Sequence, residues 1–356
     1  MDARSLREHG LRIGGLPPGP ACSIADVRGV TVGHVTVVRD EPDPPEGRGT
    51  ARSGVTAVVP GDPASLLAEP LPAGVAVLNG AGELTGSHEV REWGSFDTPV
   101  YLTATMSVGR IYDGAVSAAI AADPRVGVDD IVIPVVGECD DSWLNDARVV
   151  QVEAADAQRA VDAASATFAT GAVGAGTGMM CFDWKGGIGT ASRVAPDGST
   201  VGALLLCNFG SRPELVVGGV PVGRLLGGPA EREPAGSCIA VLATDAPMSS
   251  AQLERLARRA GLGLGRSGSV AHDGSGEIFL AFSVGSRVPR GEAPAAGVPR
   301  AILDGLFQAA VEATEEAVLS ALWTAETTVG REGRVADALP HDAVLELLRG
   351  HGRLGG

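Results

Sequence analysis

Six short apolar runs, at residues 55–59, 75–78, 131–136, 202–208, 238–243 and 278–282, constrain this chain more than any other feature, each being bounded by Gly, Pro or Asp. They are strand-length and almost continuously apolar, which suits strands buried on both faces rather than half exposed. Helix-like stretches lie between them. Over 300–325, Ile302, Leu303, Leu306, Phe307, Ala310, Val311, Ala317, Val318 and Leu322 fall at helical spacing, with Thr314 the one polar interruption. Ser249, Ser250, Ala251 and Gln252 read as a capping box opening a helix with Leu253, Leu256, Ala257 and Ala260 inward. Pro340 suits the first turn of a last helix ending near Gly350. Strands mixed with Ala-rich helices predict a layered α/β or α+β fold. With 356 residues, 44% of them hydrophobic, the chain can fill one large domain or two intimate ones.

The turns are as telling as the runs. Glycine occurs 51 times, densely at 171–189 and 210–236, interspersed with apolar residues; these stretches predict tight turns and close backbone approaches rather than linkers. The exception is 227–236, with two Pro, three Gly and three charges, which predicts an exposed irregular segment ending abruptly at Ser237. A formal net charge of −15 disfavours nucleic acid and anionic membranes as partners. Five scattered cysteines, without a CxxC pair or Cys/His cluster, indicate neither a disulfide framework nor a zinc site. No h-region opens the chain and no long charge-free apolar run occurs, so a cytoplasmic protein is expected. Lys185 is the sole lysine, and Asn79, Asn145 and Asn208 are the only asparagines. In so biased a composition each has a raised claim to a specific task, beside the plainer reading that the asparagines sit in turns.

Familiar catalytic signatures fail. Residues 171–180 lack GxGxxG spacing and no GK[ST] follows; His88 and Glu89 do not continue as HExxH; Ser269 stands where Gly-x-Ser-x-Gly needs its last glycine. No histidine sits where a Ser-His-Asp triad can be proposed. Gly236-Ser237 stands apart from the other Gly-Ser pairs because it joins the Pro/Gly-rich segment to a buried-type strand. Glycine before the serine permits strained backbone at little steric cost. The Ser237 hydroxyl can attack the Gly236 carbonyl, and hydrolysis of the resulting ester frees a serine with an α-amine. That amine, with an ordinary pKa near ~8, can act as the base a histidine would otherwise supply. Ser275 and Glu277, at i and i+2 opening the run at 278–282, can point together at one site. Equally, spacing alone allows Ser275 as a turn residue and Glu277 as a solvated strand end.

These residues belong to a longer series. It comprises Ile24-Ala25-Asp26-Val27 with Val32-Gly33-His34-Val35, Leu78-Asn79-Gly80-Ala81-Gly82-Glu83, Ser107-Val108-Gly109, and Gly137-Glu138 with Leu144-Asn145-Asp146. Gly176-Thr177-Gly178-Met179, Lys185-Gly186-Gly187-Ile188-Gly189, Gly236-Ser237 with Ala243-Thr244-Asp245-Ala246-Pro247, and Gly274-Ser275-Gly276-Glu277 complete it. In this order, over nearly the whole chain, it resembles the L-aminopeptidase/D-Ala-esterases and β-peptidyl aminopeptidases, the DmpA-like self-processing peptidases. The resemblance implies an α/β (α+β) four-layer αββα sandwich, related to that of ornithine acetyltransferases. It implies a single peptidase domain, 1–356, that cuts itself into 1–236 and 237–356. It makes Ser237 the nucleophile, Ser275 and Glu277 its catalytic partners, and Asn208 the oxyanion-stabilising amide. The expected activity releases N-terminal residues from small peptides, amides or esters through an acyl-enzyme, without cofactor or metal, in a homo-oligomer of processed protomers. Acyl transfer on the same scaffold, and a non-catalytic protein with a decayed site, are the alternatives. Serine where the transferases have threonine weighs against the first, and the joint presence of Ser237, Ser275, Glu277 and Asn208 against the second. Residues 137–148 hold Trp143 and no tyrosine, where some relatives have a Tyr. Asp26, Asn79, Glu83 and Lys185 match the family without an assigned role.

Overall fold

A computed structural model describes residues 6–228 and 236–354. In chain order its strands are β1 (Val30–Asp40), β2 (Thr50–Pro60), β3 (Leu71–Gly80), β4 (Ser95–Phe96), β5 (Val100–Ala104) and β6 (Val135–Cys139). A tight pair, β7 (Met180–Cys181) and β8 (Trp184–Lys185), leads into β9 (Gly187–Val194), β10 (Thr200–Asn208), β11 (Gly236–Thr244) and β12 (Ser275–Ser283). A small hairpin, β13 (Thr328–Val329) and β14 (Val335–Ala336), comes last. The helices are α1 (Ser87–Trp93), α2 (Val108–Ala122), α3 (Asp156–Asp162), α4 (Val222–Leu226), α5 (Ser250–Ala257), α6 (Arg259–Arg266), α7 (Arg300–Thr324) and α8 (His341–Gly350).

Beside the two-stranded pairs β7-β8 and β13-β14, the described residues form two larger sheets, ordered β1-β2-β5-β6 and β4-β3-β12-β11-β10-β9. Alternation along each strand divides its side chains between two cores. Leu204, Leu206, Ile239, Val241, Ile278 and Leu280 meet Val58, Val100, Leu102 and Val135 between the sheets. Their neighbours Leu205, Ala240, Leu242 and Phe279 pack outward under Leu253, Leu256, Leu264, Leu306 and Ala310 of α5, α6 and α7. On the far side, Ile111, Ala115, Ala157 and Ala160 of α2 and α3 cover Val55, Ala57, Tyr101 and Val136. Layers therefore run helix, sheet, sheet, helix, the four-layer αββα sandwich. Each central strand is apolar on both faces because a helix covers one and a sheet the other.

Two expectations shift. The run at 131–136 does not begin a strand at 131: Ile131 is 68% exposed and β6 starts at Val135, directly after Pro134, which has no N–H to give a ladder. Helix α7 matches its expected span but is buried almost all round, Glu312 and Glu315 included. Arg193, fully buried beneath it, meets Glu312 at 3.4 Å and Glu316 at 2.5 Å, and Arg7 also reaches Glu316 at 2.6 Å. The Ser249 capping box and the last helix form where expected. Of the segment expected to be exposed and irregular, Gly227 and Gly228 are exposed, Gly236 is instead half-buried as the first residue of β11, and 229–235 lie outside the described residues. Among the described residues no helix is long and apolar enough to cross a membrane.

Candidate active site

One end of the six-stranded sheet gathers the residues singled out from the sequence. β10 and β11 run antiparallel with Asn208 opposite Ser237. β12 lies parallel to β11 on its other side, setting Gly236 level with Ser275, Ser237 with Gly276 and Cys238 with Glu277. β3 continues the sheet and pairs Asn79 with Glu277. Asn208 and Ser237 follow the alternation of Leu206 and Ile239, so both face the gap between the sheets. There the C-terminal end of β6 meets them, and the sheets part into a cleft of about 950 Å³. Ser237, Asn208, Glu83, Glu138, Asp140 and Trp143 line it, with Arg331 and Arg334 from the β13–β14 hairpin.

At position 236 the backbone leaves room for nothing larger than glycine. A Cβ on Gly236 would stand 2.1 Å from the Asn208 carbonyl oxygen, so the closeness of the two strands depends on that residue. Ser237 is 4% exposed, and its Oγ has no hydrogen-bond partner among the described residues. Ser275 Oγ donates to Glu277 Oε1, and both residues are buried. Glu277 is therefore no solvated strand end; burial raises its carboxyl above the ordinary range, against the opposing pull of the Ser275 hydrogen bond. Asn79 Nδ2 donates to the carbonyls of Ala271 (3.0 Å) and His272 (2.8 Å), pinning the turn that delivers Ser275.

Asn208 is held the same way round by two neighbours. Its Oδ1 accepts from the Met180 N–H at 2.9 Å, and its Nδ2 donates to the Asp140 carbonyl at 2.9 Å. Lys185 lies fully buried behind it, giving hydrogen bonds to the carbonyls of Met179, Gly186 and Gly176 at 2.7, 2.8 and 3.0 Å. Burial pushes its ammonium down to about 7. Across the cleft, Glu138 is buried; Oε1 accepts from the Glu83 N–H at 2.8 Å and Oε2 from the Thr105 hydroxyl. Its carboxyl is raised by burial, with both hydrogen bonds opposing the shift.

Two rival nucleophile chemistries find no support here. Cys139 shares the inter-sheet side with the serine while Cys207 and Cys238, opposite one another, point into the outer core, and burial pushes all three thiols up and keeps them un-ionised. His272 approaches Glu277 but spends Nε2 on Glu214 at 2.8 Å, and among the described residues no histidine lines the cleft.

The model of peptidase family S58 matches residues 22–336. This chain belongs to peptidase family S58. It is 42% identical over 376 aligned positions to a β-peptidyl aminopeptidase BapA of Sphingosinicella microcystinivorans, covering 98% of this chain and 92% of that one. The L-aminopeptidase D-Ala-esterase/amidase of Ochrobactrum anthropi, described as a prototype for the serine aminopeptidases and a variant of the Ntn hydrolase fold, superposes with a TM-score of 0.91. It is 38% identical, with 99% of each chain covered. The PH0078 protein from Pyrococcus horikoshii OT3 gives 0.93 at 40% identity, over 99% of this chain and all of that one.

Within this S58 peptidase, the residues that sequence left without a role acquire partners. Asp26 Oδ1 accepts from the Ala21 N–H and Oδ2 from the Ser23 N–H and Ser192 hydroxyl, which ties the N-terminal segment to β9. Trp143 lines the cleft, its carbonyl accepting from Arg334 at 3.2 Å. Sequence reasoning missed Glu138, Thr105, Asp140, Arg331 and Arg334 as cleft residues. The one available signal was Glu138, a lone carboxylate closing the otherwise apolar run Val135, Val136, Gly137.

Proposed function

We propose that this S58 peptidase is an N-terminal-serine aminopeptidase that cuts its own chain between Gly236 and Ser237. The pairing of Asn208 with Ser237 at the mouth of the cleft is the observation that carries this reading. Self-cleavage begins with Ser237 Oγ attacking the Gly236 carbonyl carbon. The C–N bond breaks, the nitrogen takes the proton, and water hydrolyses the ester. Residues 1–236 then end in the Gly236 carboxylate, and residues 237–356 begin with Ser237 and a free amine.

Register supports a choice of partners for that amine. Residues level with one another on parallel strands share a face, so Ser237 shares its face with Gly276, and Ser275 and Glu277 flank the junction from the other. The nitrogen between 236 and 237 emerges level with Ser275, whose hydroxyl is held by Glu277. This pair therefore orients the amine rather than Oγ. The neutral amine accepts the proton of Oγ as Oγ attacks the substrate carbonyl. The second Nδ2 hydrogen of Asn208 donates to the developing oxyanion, a contribution of about 3 kcal/mol in comparable hydrolases. Collapse expels the leaving amine or alcohol with a proton, and water releases the acyl group from Ser237.

The acidic lining supports an N-terminal amine as the recognised group, since Glu83, Glu138 and Asp140 converge on the cleft. Two of the named relatives carry an activity in their names, one a β-peptidyl aminopeptidase and the other an L-aminopeptidase D-Ala-esterase/amidase. We extend amide and ester cleavage to this chain on that basis. Exposed Val77, Leu78 and Trp93 line one open surface pocket, which supports assembly of processed protomers. The five free thiols suit a reducing, cytoplasmic compartment.

Ser237→Ala tests the reading. It is expected to give an uncut chain inactive on a panel of L-, D- and β-aminoacyl p-nitroanilides that the parent hydrolyses. Turnover by the uncut variant would contradict the reading.

A further inference from the structure

The oxyanion role of Asn208, on which this inference rests, depends on which way round its amide is held. Turned over, the side chain would aim its oxygen at the oxyanion and repel it. The Met180 N–H and the Asp140 carbonyl select the orientation, one able only to donate and the other only to accept. The Met180 N–H belongs to the peptide unit whose carbonyl is that of Met179. That carbonyl accepts from Lys185 Nζ at 2.7 Å and from the Gly186 N–H at 3.0 Å. A single peptide plane thus carries the ammonium on one side and the Asn208 amide on the other.

We infer that Lys185 is a positioning residue, which fixes the orientation of the Asn208 amide through the peptide unit joining Met179 to Met180. Its surroundings fit that task better than a general role in stability. Lys185 is fully buried, and its hydrogen-bond partners are three backbone carbonyls, with no carboxylate among them. Burying an ammonium without a counter-ion is costly, whereas an apolar side chain would fill the same space without that cost. Only a cation donates three hydrogen bonds at once from one atom. The three carbonyls belong to Gly176, Met179 and Gly186, which come before and after the β7–β8 turn, so one atom closes the loop that presents the Met180 N–H. Polarising the Met179 carbonyl also strengthens the N–H on the same peptide.

The test is a double-mutant cycle between Lys185→Met and Asn208→Ala, with rates normalised to cleaved chain. An aminoacyl p-nitroanilide turned over by the parent is the substrate. Lys185→Met is expected to lower kcat about ten-fold, part of the loss that removing an oxyanion donor causes, with KM within about two-fold. In the Asn208→Ala background the same substitution should change kcat by less than about two-fold. An equal kcat loss in both backgrounds would overturn the assignment, as would a wild-type kcat for Lys185→Met. If Asn208→Ala itself leaves kcat unchanged, the oxyanion reading fails and takes this inference with it; a large loss in Asn208→Ala with none in Lys185→Met defeats the inference alone. Lys185→Gln keeps a donor in the same space and is expected to retain more kcat than Met. Failure of both variants to give folded protein would make Lys185 a folding residue and contradict the positioning role.

Discussion

The strand-end places of Ser237, Asn208, Ser275 and Glu277 were legible from the apolar runs, whereas the catalytic roles proposed for them came from the family resemblance. The register was not legible, and register decides that Ser275 stands level with Gly236 while Asn208 faces Ser237. Asp141 shows what sequence cannot give. Its carboxyl is buried beside Asn145, which donates to Oδ1 at 3.0 Å, and burial pushes it up to about 7. In the unfolded chain the same group titrates near ~3.9. Its contribution to stability is fully present below that value and is lost as pH rises through about 7. Asp141→Asn does not titrate, so melting temperatures at pH 5 and pH 8 should show the variant gaining on the parent as pH rises. A gap that does not change with pH would remove Asp141 from the pH dependence.

At the scale of elements, β11 carries the account. Its six apolar residues after Ser237 announce a buried strand, and the structure extends that strand back to Gly236. The glycine clusters also read correctly as close approaches: a Cβ on Gly187, at φ +144°, would lie 1.9 Å from the Gly171 carbonyl oxygen. What periodicity could not show is why α7 buries its glutamates. For Glu312 the explanation is Arg193 on β9, more than a hundred residues earlier in the chain, and for Glu315 it is Arg266 of α6 at 3.5 Å. A direct element-scale consequence follows at Gly236. Gly236→Ala must push β11 off the end of β10, because its Cβ meets backbone rather than a movable side chain. Self-cleavage is expected to slow at least about ten-fold, read as persistence of full-length chain on denaturing gels over time. Cleavage at the parent rate would show that this approach does not matter for processing.

At the scale of the whole molecule, the αββα layering explains why the site lies at the sheet ends. Helices close both outer faces and apolar side chains fill the gap between the sheets, so the cleft opens where β6 and β11 part. Charge distribution fits the same picture. Acidic groups line one part of the cleft and Arg331 and Arg334 another, within a chain of net charge −15. The central claim remains that one bond divides this chain and creates its nucleophile. Intact-mass analysis with N-terminal sequencing of the purified active protein tests it most directly. The account predicts two pieces of about 24 and 12 kDa from the 35.9 kDa chain, the smaller beginning Ser237-Cys238-Ile239. A fully active protein that remains a single 35.9 kDa chain would contradict it.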